Sequence, residues 1–307
     1  MKNKVFYFAV ALALVACAKE ESIQHYEGTE NVYGDHTLPQ GNHDYDAFIV
    51  DFLDKYNTLV LYKYVAHDVY WNVTNNVVRP VELDSVGNVA VVGYRYALAD
   101  EDFIGEQLEL IRQKFLRHYP DEFLAGMLPK KILLARSFVS VALTGVETNA
   151  APFSGYDYLL FPYGGAEVQA LTNAQVNDFR TRASEVFLRR LVNNGKIERD
   201  PVFLSISNYA SPGSGNAARI VAGFITPSAI TREDDWNAYV AAIVATPYDT
   251  LVAPRGTLPV TDFNRRGMLA PEYDTGGLIR KKYDAMVAYF RDVHDVDIQA
   301  IGNDFVQ

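Results

Sequence analysis

A single cysteine, Cys17, excludes an internal disulfide framework and any cysteine-rich zinc site. The six histidines, at positions 25, 36, 43, 67, 118 and 294, include no His-x-x-x-His pair, so no helix can offer a metal two imidazoles one turn apart. Basic charge is also short. Twenty-eight Lys and Arg stand against 38 Asp and Glu, a net charge of −10, and they build none of the basic faces that release counterions from nucleic acid. Beyond the N-terminal segment no apolar run approaches the ~20 residues that cross a bilayer. Three nucleotide- or acyl-transfer signatures are absent: the Gly-x-Ser-x-Gly elbow, the phosphate loop ending in Gly-Lys-Ser/Thr, and Gly-x-Gly-x-x-Gly after a strand. Apolar material is plentiful. Of 307 residues 49% are hydrophobic, with 20 Tyr and 17 Phe, enough to bury a large core.

The most specific signal lies at the start. Lys2 and Lys4 precede an apolar stretch from Val5 to Val15, followed by Leu14-Val15-Ala16-Cys17. The stretch is too short to span a membrane and reads as a signal peptide over 1–16. Its Leu-x-Ala-Cys ending resembles the bacterial lipobox, which makes Cys17 the lipidated first residue of the mature chain. Ala18-Lys19-Glu20-Glu21 resembles the acidic tag that sends lipoproteins to the outer face of the outer membrane. The expected location is therefore the cell surface, with the membrane as a partner through the lipid. Residues 17–44 are polar and without a sustained period of 2 or 3.6, so they read as a flexible tether. His25, His36 and His43 fall there, with no shell of neighbours to make them metal ligands.

From residue 45 to 307 the pattern is that of one folded domain. Phe48, Ile49, Phe52, Leu53 and Tyr56 share a helix face, and Phe103, Ile104, Leu108, Ile111 and Phe115 share another before Pro120. Strand character fills Leu59 to Val65, Val89 to Tyr96, Ile132 to Leu143 and Tyr156 to Phe161. The remainder turns helical: 174–192, closed by Asn193-Asn194-Gly195; 234–244, carrying Trp236, Tyr239, Val240 and Ile243; and 277–290. A polar loop is expected around 207–217. Strands first and helices afterwards, without βαβ alternation, predict an α+β fold.

The order of several segments resembles one family, the surface lipoproteins described as substrate-import-associated zinc metallohydrolases or zinc-binding metallopeptidases. The segments are the lipobox, Tyr62-Lys63-Tyr64, Pro129-Lys130-Lys131-Ile132, Asn193-Asn194-Gly195-Lys196, Phe203-Leu204-Ser205-Ile206-Ser207, Gly223-Phe224-Ile225-Thr226-Pro227, Glu233-Asp234-Asp235-Trp236-Asn237 and the closing helix with Tyr289. The resemblance covers roughly 45–300. It implies a zincin-like metallopeptidase fold, an N-terminal mixed sheet with helices followed by a helical C-terminal half. It also implies zinc as cofactor and a place beside an outer-membrane nutrient importer.

The family's zinc helix carries His-Glu-x-x-His. Counted back from Lys196, its ligands fall on Val186 and Arg190 and its Glu on Phe187, while the third ligand falls on Asn237. Val cannot ligate, Arg is permanently charged and Phe carries no proton to move. A shift of one residue would bring in Glu185, still without imidazoles. The expectation is thus a pseudoenzyme with the zinc site lost, a binding component of a glycan or peptide import system. The rival reading is an active hydrolase, a peptidase or glycan-processing enzyme, whose catalytic groups the sequence motifs do not reveal; one version uses carboxylates 233–235 and His67 gathered in one cleft. Glu233, Asp234 and Asp235 also suit a helix N-terminus, where negative charge offsets the dipole. The pairs His67-Asp68 and His294-Asp295 lack a nucleophile motif beside them. Finally, Tyr62, Tyr64, Trp71, Tyr158 and Tyr163, with Tyr70 and Tyr156, could form a platform on which sugar rings stack, since C–H faces pack on aromatic rings. Cross-strand packing is the competing use of such residues.

Overall fold

The computed structural model describes residues 36–71, 78–226, 228–257 and 265–306. The lipobox, Cys17 and most of the tether lie outside them.

Helix α1 (Asp46–Tyr56) leads into strand β1 (Leu59–Leu61) and the short helix α2 (Ala66–Tyr70). Strands β2 (Glu82–Leu83), β3 (Val89–Val91) and β4 (Gly93–Leu98) come next. They are succeeded by helices α3 (Ile104–Lys114) and α4 (Asp121–Met127), then the long strand β5 (Lys131–Val141). Strands β6 (Glu147–Asn149), β7 (Phe153–Ser154) and β8 (Tyr158–Phe161) complete the β region. The remaining elements are helical: α5 (Asn173–Asn193), α6 (Pro201–Ile206), α7 (Asn216–Val221), α8 (Arg232–Ala245), α9 (Tyr248–Val252), α10 (Leu278–His294) and α11 (Ile298–Asn303). The chain is mixed α+β, with its strands before its helical half. No helix among the described residues is long and apolar enough to cross a membrane.

One sheet organises the first half. Strand β5 lies between β1 and β8, parallel to both, with Ile132 opposite Val60 and Leu159. Its far half leaves that layer and pairs antiparallel with β4 and β6, while β7 pairs antiparallel with β8. Successive residues on a strand face opposite ways. Val60, Ile132, Leu134, Leu159 and Phe161 accordingly join the helical core, and Leu59, Leu61, Leu133 and Leu160 are just as buried on the other face. Covering both faces of the sheet is what makes these short strands continuously apolar. Across the core Phe115 meets both Phe161 and Phe187 at 5.3 Å between ring centroids.

Three boundaries differ from the sequence reading. Residues 37–44, read as the end of a tether, dock on the domain: the Gln40 side chain accepts from the Tyr62 amide and donates to the Lys63 carbonyl, and His43 stacks on Tyr45 while pairing with Asp46. Val89–Tyr96 is not one strand but two, because the chain breaks at Val92. The loop expected near 207–217 gives way to α7 after Gly215.

Helix α5 shapes the surface around it. Its start is fixed by a capping box between Thr172 and Gln175. Its end is fixed by Gly195 at φ 64°, a left-handed conformation in which a side chain would be strained, so that Lys196 N–H can return to the Leu191 carbonyl. Phe179, Ala183, Phe187, Leu188 and Leu191 are buried. The faces left over open onto two separate clefts.

Candidate functional site: two clefts beside one helix

The first cleft, about 420 Å³, lies between α5 and α8 and is lined by Glu185, Arg189, Thr226, Ser228, Asp234, Asn237 and Arg265 among others. Of the positions assigned to a lost zinc motif, only Asn237 is here. Val186 packs half-buried against the core, Phe187 is wholly buried against Phe115 and Tyr119, and Arg190 opens onto the other cleft. The four positions therefore do not surround one volume. Residues 185 and 189, one turn apart on α5, line this cleft together with Asn237.

These residues do not fit a zinc ion. Zinc takes three or four nitrogen, sulfur or carboxylate donors at close range. The Glu185 carboxylate accepts from Arg189 at 2.7 Å, and that of Asp234 accepts from the Thr231 hydroxyl at 2.7 Å while sitting in the first turn of α8. Asn237 is neutral, and the guanidiniums of Arg189 and Arg265 oppose a dication. No group of three or more His, Cys, Asp or Glu able to hold a metal occurs among the described residues.

The three acidic residues at the start of α8 separate rather than converge. Glu233 is exposed and lies 3.7 Å from Arg199. Asp234 belongs to the cap. Asp235 turns inward and meets Lys282 at 2.5 Å, both side chains being inaccessible, and also accepts from the Tyr209 hydroxyl at 2.7 Å. Burial pushes the Asp235 carboxyl up and the Lys282 ammonium down, and each charge pulls the other back. The rings of Phe203, Tyr209, Phe224 and Tyr239 surround that ammonium at 4.5–5.6 Å. His67 lies on α2 with its ring 6.1 Å from Trp71. Neither cleft beside α5 contains His67, and of carboxylates 233–235 only Asp234 lines one of them.

The second cleft is larger, about 830 Å³, and is lined by Trp71, Leu128, Pro129, Lys130, Ser154, Gly155, Tyr156, Asp157, Arg190, Asn193, Asn194 and Lys196. Trp71 and Tyr156 form its aromatic corner, 5.1 Å apart and at 79° to one another, and are 46% and 51% exposed. The support beneath them is rigid. Tyr158 is buried in β8 and donates to the Val69 carbonyl at 2.9 Å, fixing the end of α2 that delivers Trp71. Gly155 lies against the same ring so closely that an added Cβ would come within 2.1 Å of it. From α5, Arg190 donates to the Ser154 hydroxyl at 3.1 Å and to the carbonyls of Gly155 and Tyr156 at 2.5 and 2.7 Å, holding the β7–β8 turn under Tyr156. Burial lowers the Arg190 pKa from its ordinary value, while the Asp157 charge acts the other way.

The other aromatics of the expected sugar platform are structural. Tyr62 donates to Asp46, Tyr64 to the Leu134 carbonyl and Tyr158 to that of Val69, all three being buried. Tyr163 packs half-buried against Phe179. Tyr158 lies in β8, within a sheet covered on both faces, and Tyr62 and Tyr64 follow directly after β1 with their rings buried, so none of the three has a solvent side. Of the rings singled out in the sequence, only Trp71 and Tyr156 share an open surface. Of their partners in the cleft, Lys130 and the Asn193-Asn194 helix end were visible in the sequence as segment boundaries, and Arg190 as a position of the zinc-motif comparison.

No family model matches the chain, and no curated protein matches it. Among solved structures it is similar to the "putative zinc-binding metallo-peptidase" of Bacteroides caccae, over 84% of this chain and 88% of that one, at 15% identity and a TM-score of 0.42. A likeness at that level assigns neither fold family nor function.

Proposed function

We propose that this protein is a non-catalytic, lipid-anchored surface protein that binds a glycan in the cleft of Trp71 and Tyr156. Cys17 would carry the anchor at the outer face of the outer membrane, and the bound glycan would be handed to a nutrient importer. The observation that carries the reading is the aromatic corner. Two large rings left about half open to water, over a concavity with polar walls, match the demands of a sugar: an apolar C–H face to stack and hydroxyls to hydrogen-bond. Asn193 and Asn194, both exposed on the cleft wall, each offer a donor and an acceptor for those hydroxyls. The zincin-like ancestry implied by the order of sequence segments fits this reading, with side chains unable to hold metal at the ligand positions.

The test is a glycan array spanning neutral and acidic saccharides, probed with the purified chain and with Trp71→Ala. Binding lost in the variant, whose circular dichroism and melting stay as before, is the expected result. Array binding that survives Trp71→Ala would overturn the reading, as would one tightly held zinc per chain together with peptide hydrolysis. Anchoring is checked separately: labelled palmitate should enter the native chain and not Cys17→Ser.

A further inference from the structure

The charge of the second cleft is out of keeping with the rest of the chain. The whole protein is acidic, at −10, yet the ionisable residues lining this cleft are Lys130, Lys196, Arg190 and a single acid, Asp157. That acid is already answered, since Lys131 lies 3.2 Å from it and bridges it to Asp68. Arg190 is committed to the turn carbonyls. The two lysines are not committed: Lys130 is exposed and makes no side-chain bond among the described residues, and Lys196 reaches only the Gly126 carbonyl, at 3.5 Å. An ammonium without an ion pair is ordinary on a surface, but two of them lining the same concavity as an open aromatic corner, in an acidic protein, make the potential there locally positive.

From this we infer that the ligand is an acidic saccharide, whose ring stacks on Trp71 and Tyr156 while its carboxylate or sulfate meets Lys130 and Lys196. The inference rests on the glycan reading above and narrows it. An acidic sugar needs both kinds of contact at once, and the cleft supplies both within one concavity. Neutral sugars would stack equally well but leave the two ammonium groups without function. An ammonium accommodates carboxylate and sulfate alike as a compact point charge, so both sources satisfy the geometry.

Two measurements decide it. On the array of neutral and acidic saccharides, binding should concentrate on carboxylate- or sulfate-bearing members. Oligogalacturonides titrated against Trp71 fluorescence should bind at least about tenfold more tightly than their methyl esters, which keep the ring and lose the charge. That difference should shrink in 0.5 M salt and vanish in the Lys130→Gln/Lys196→Gln double variant, which keeps the aromatic corner. A sulfated oligosaccharide bound in place of the galacturonide, with the same loss in the double variant, identifies sulfate as the source of charge and supports the inference equally. Neutral saccharides bound as tightly as acidic ones, or acidic binding unchanged in the double variant, would overturn the charge inference and leave glycan binding standing. No array binding of any kind would overturn both.

Discussion

The two clefts on either side of α5 are built from similar side chains and are opposite in character. In the cleft toward α8 every carboxylate has an answer within the protein: Glu185 has Arg189, and Asp234 has the Thr231 hydroxyl and the helix N-terminus. In the cleft toward Trp71 the one acid is answered by Lys131, and two ammonium groups and two rings are left over. Carboxylates already bonded within the protein have little to offer a ligand, because any newcomer must first break internal bonds, although Arg265 on the same wall keeps a buried Nη1 without a partner among the described residues. A concavity with unspent charge beside open apolar surface can gain from occupation without such a loss. Side-chain identity alone does not distinguish these cases. Both clefts contain Arg from the same helix, one spent on an i,i+4 carboxylate and the other on a turn.

The largest effect expected from testing this contrast lies behind the first cleft, where α8 turns Asp235 away from it. Removing one member of a buried ion pair leaves the other charged and desolvated, so Asp235→Ala should cost roughly 3–5 kcal/mol of stability. Asp234→Ala, on the exposed side of the same turn, should cost about 1 kcal/mol or less, the scale of a capping or dipole interaction. Urea unfolding of the two variants checks this. Equal losses would mean that Asp235 does not hold Lys282 as the structure draws it, and that the acidic start of α8 acts as one surface cluster.

The next effect depends on pH and separates the fold from the second cleft. His118 is nearly inaccessible and 3.4 Å from Asp304, and burial pushes its pKa down from 6.5 to about 4, against the pull of Asp304. Its folded-state pKa is below its unfolded one, so the unfolded chain binds the extra proton. Stability is therefore full above about pH 6.5 and falls as pH drops toward 4, by on the order of 2 kcal/mol from this group. Asp304, held below the usual carboxylate range by Lys114 and Arg117 although burial opposes them, loses its contribution at still lower pH. Denaturation midpoints measured between pH 7 and 4 should flatten in His118→Asn. The Lys130→Gln/Lys196→Gln variant should retain the native slope. A slope unchanged in His118→Asn would place the acid-sensitive group elsewhere.

Much of this architecture was legible in the sequence, for reasons that also mark where legibility stops. The 3.6-residue spacing of Phe48, Ile49, Phe52 and Tyr56, and the Gly195 stop after Asn193-Asn194, announce helices that the structure contains because amphipathic period and caps are local properties. The destinations of the aromatic rings are not local. Tyr158 has the strand setting expected of a sugar platform and Tyr62 sits just past the end of β1, but whether a strand has a wet face depends on what packs over the sheet, and here both faces are covered. Trp71 and Tyr156 lie 85 positions apart in sequence and meet only because Tyr158 ties α2 to β8. The faces of α5 are set in a related way. Counting from Lys196 fixes sequence distance, whereas the face of α5 turned to Asn237 is set by where Phe187 and Leu191 find the core.

The smallest predicted effect is the most direct probe of carboxylate pairing in the first cleft. Glu185 and Arg189 form an i,i+4 pair at 2.7 Å, partly open to water, with side-chain exposures of 27% and 46%. Such a pair contributes only about 0.3–0.5 kcal/mol, so Glu185→Gln should barely move the unfolding midpoint. It would nevertheless free one guanidinium beside Arg265 and convert a neutralised wall into a positive one. If satisfaction of internal charge is what keeps that cleft closed to ligands, the variant should acquire weak, salt-sensitive binding of inorganic sulfate, detectable by calorimetry, where the native chain shows none from this cleft. The Lys130→Gln/Lys196→Gln background removes any signal from the second cleft. In that background a native chain that already binds sulfate, or a Glu185→Gln chain that gains nothing, would show that the difference between the two clefts is one of shape and not of unspent charge.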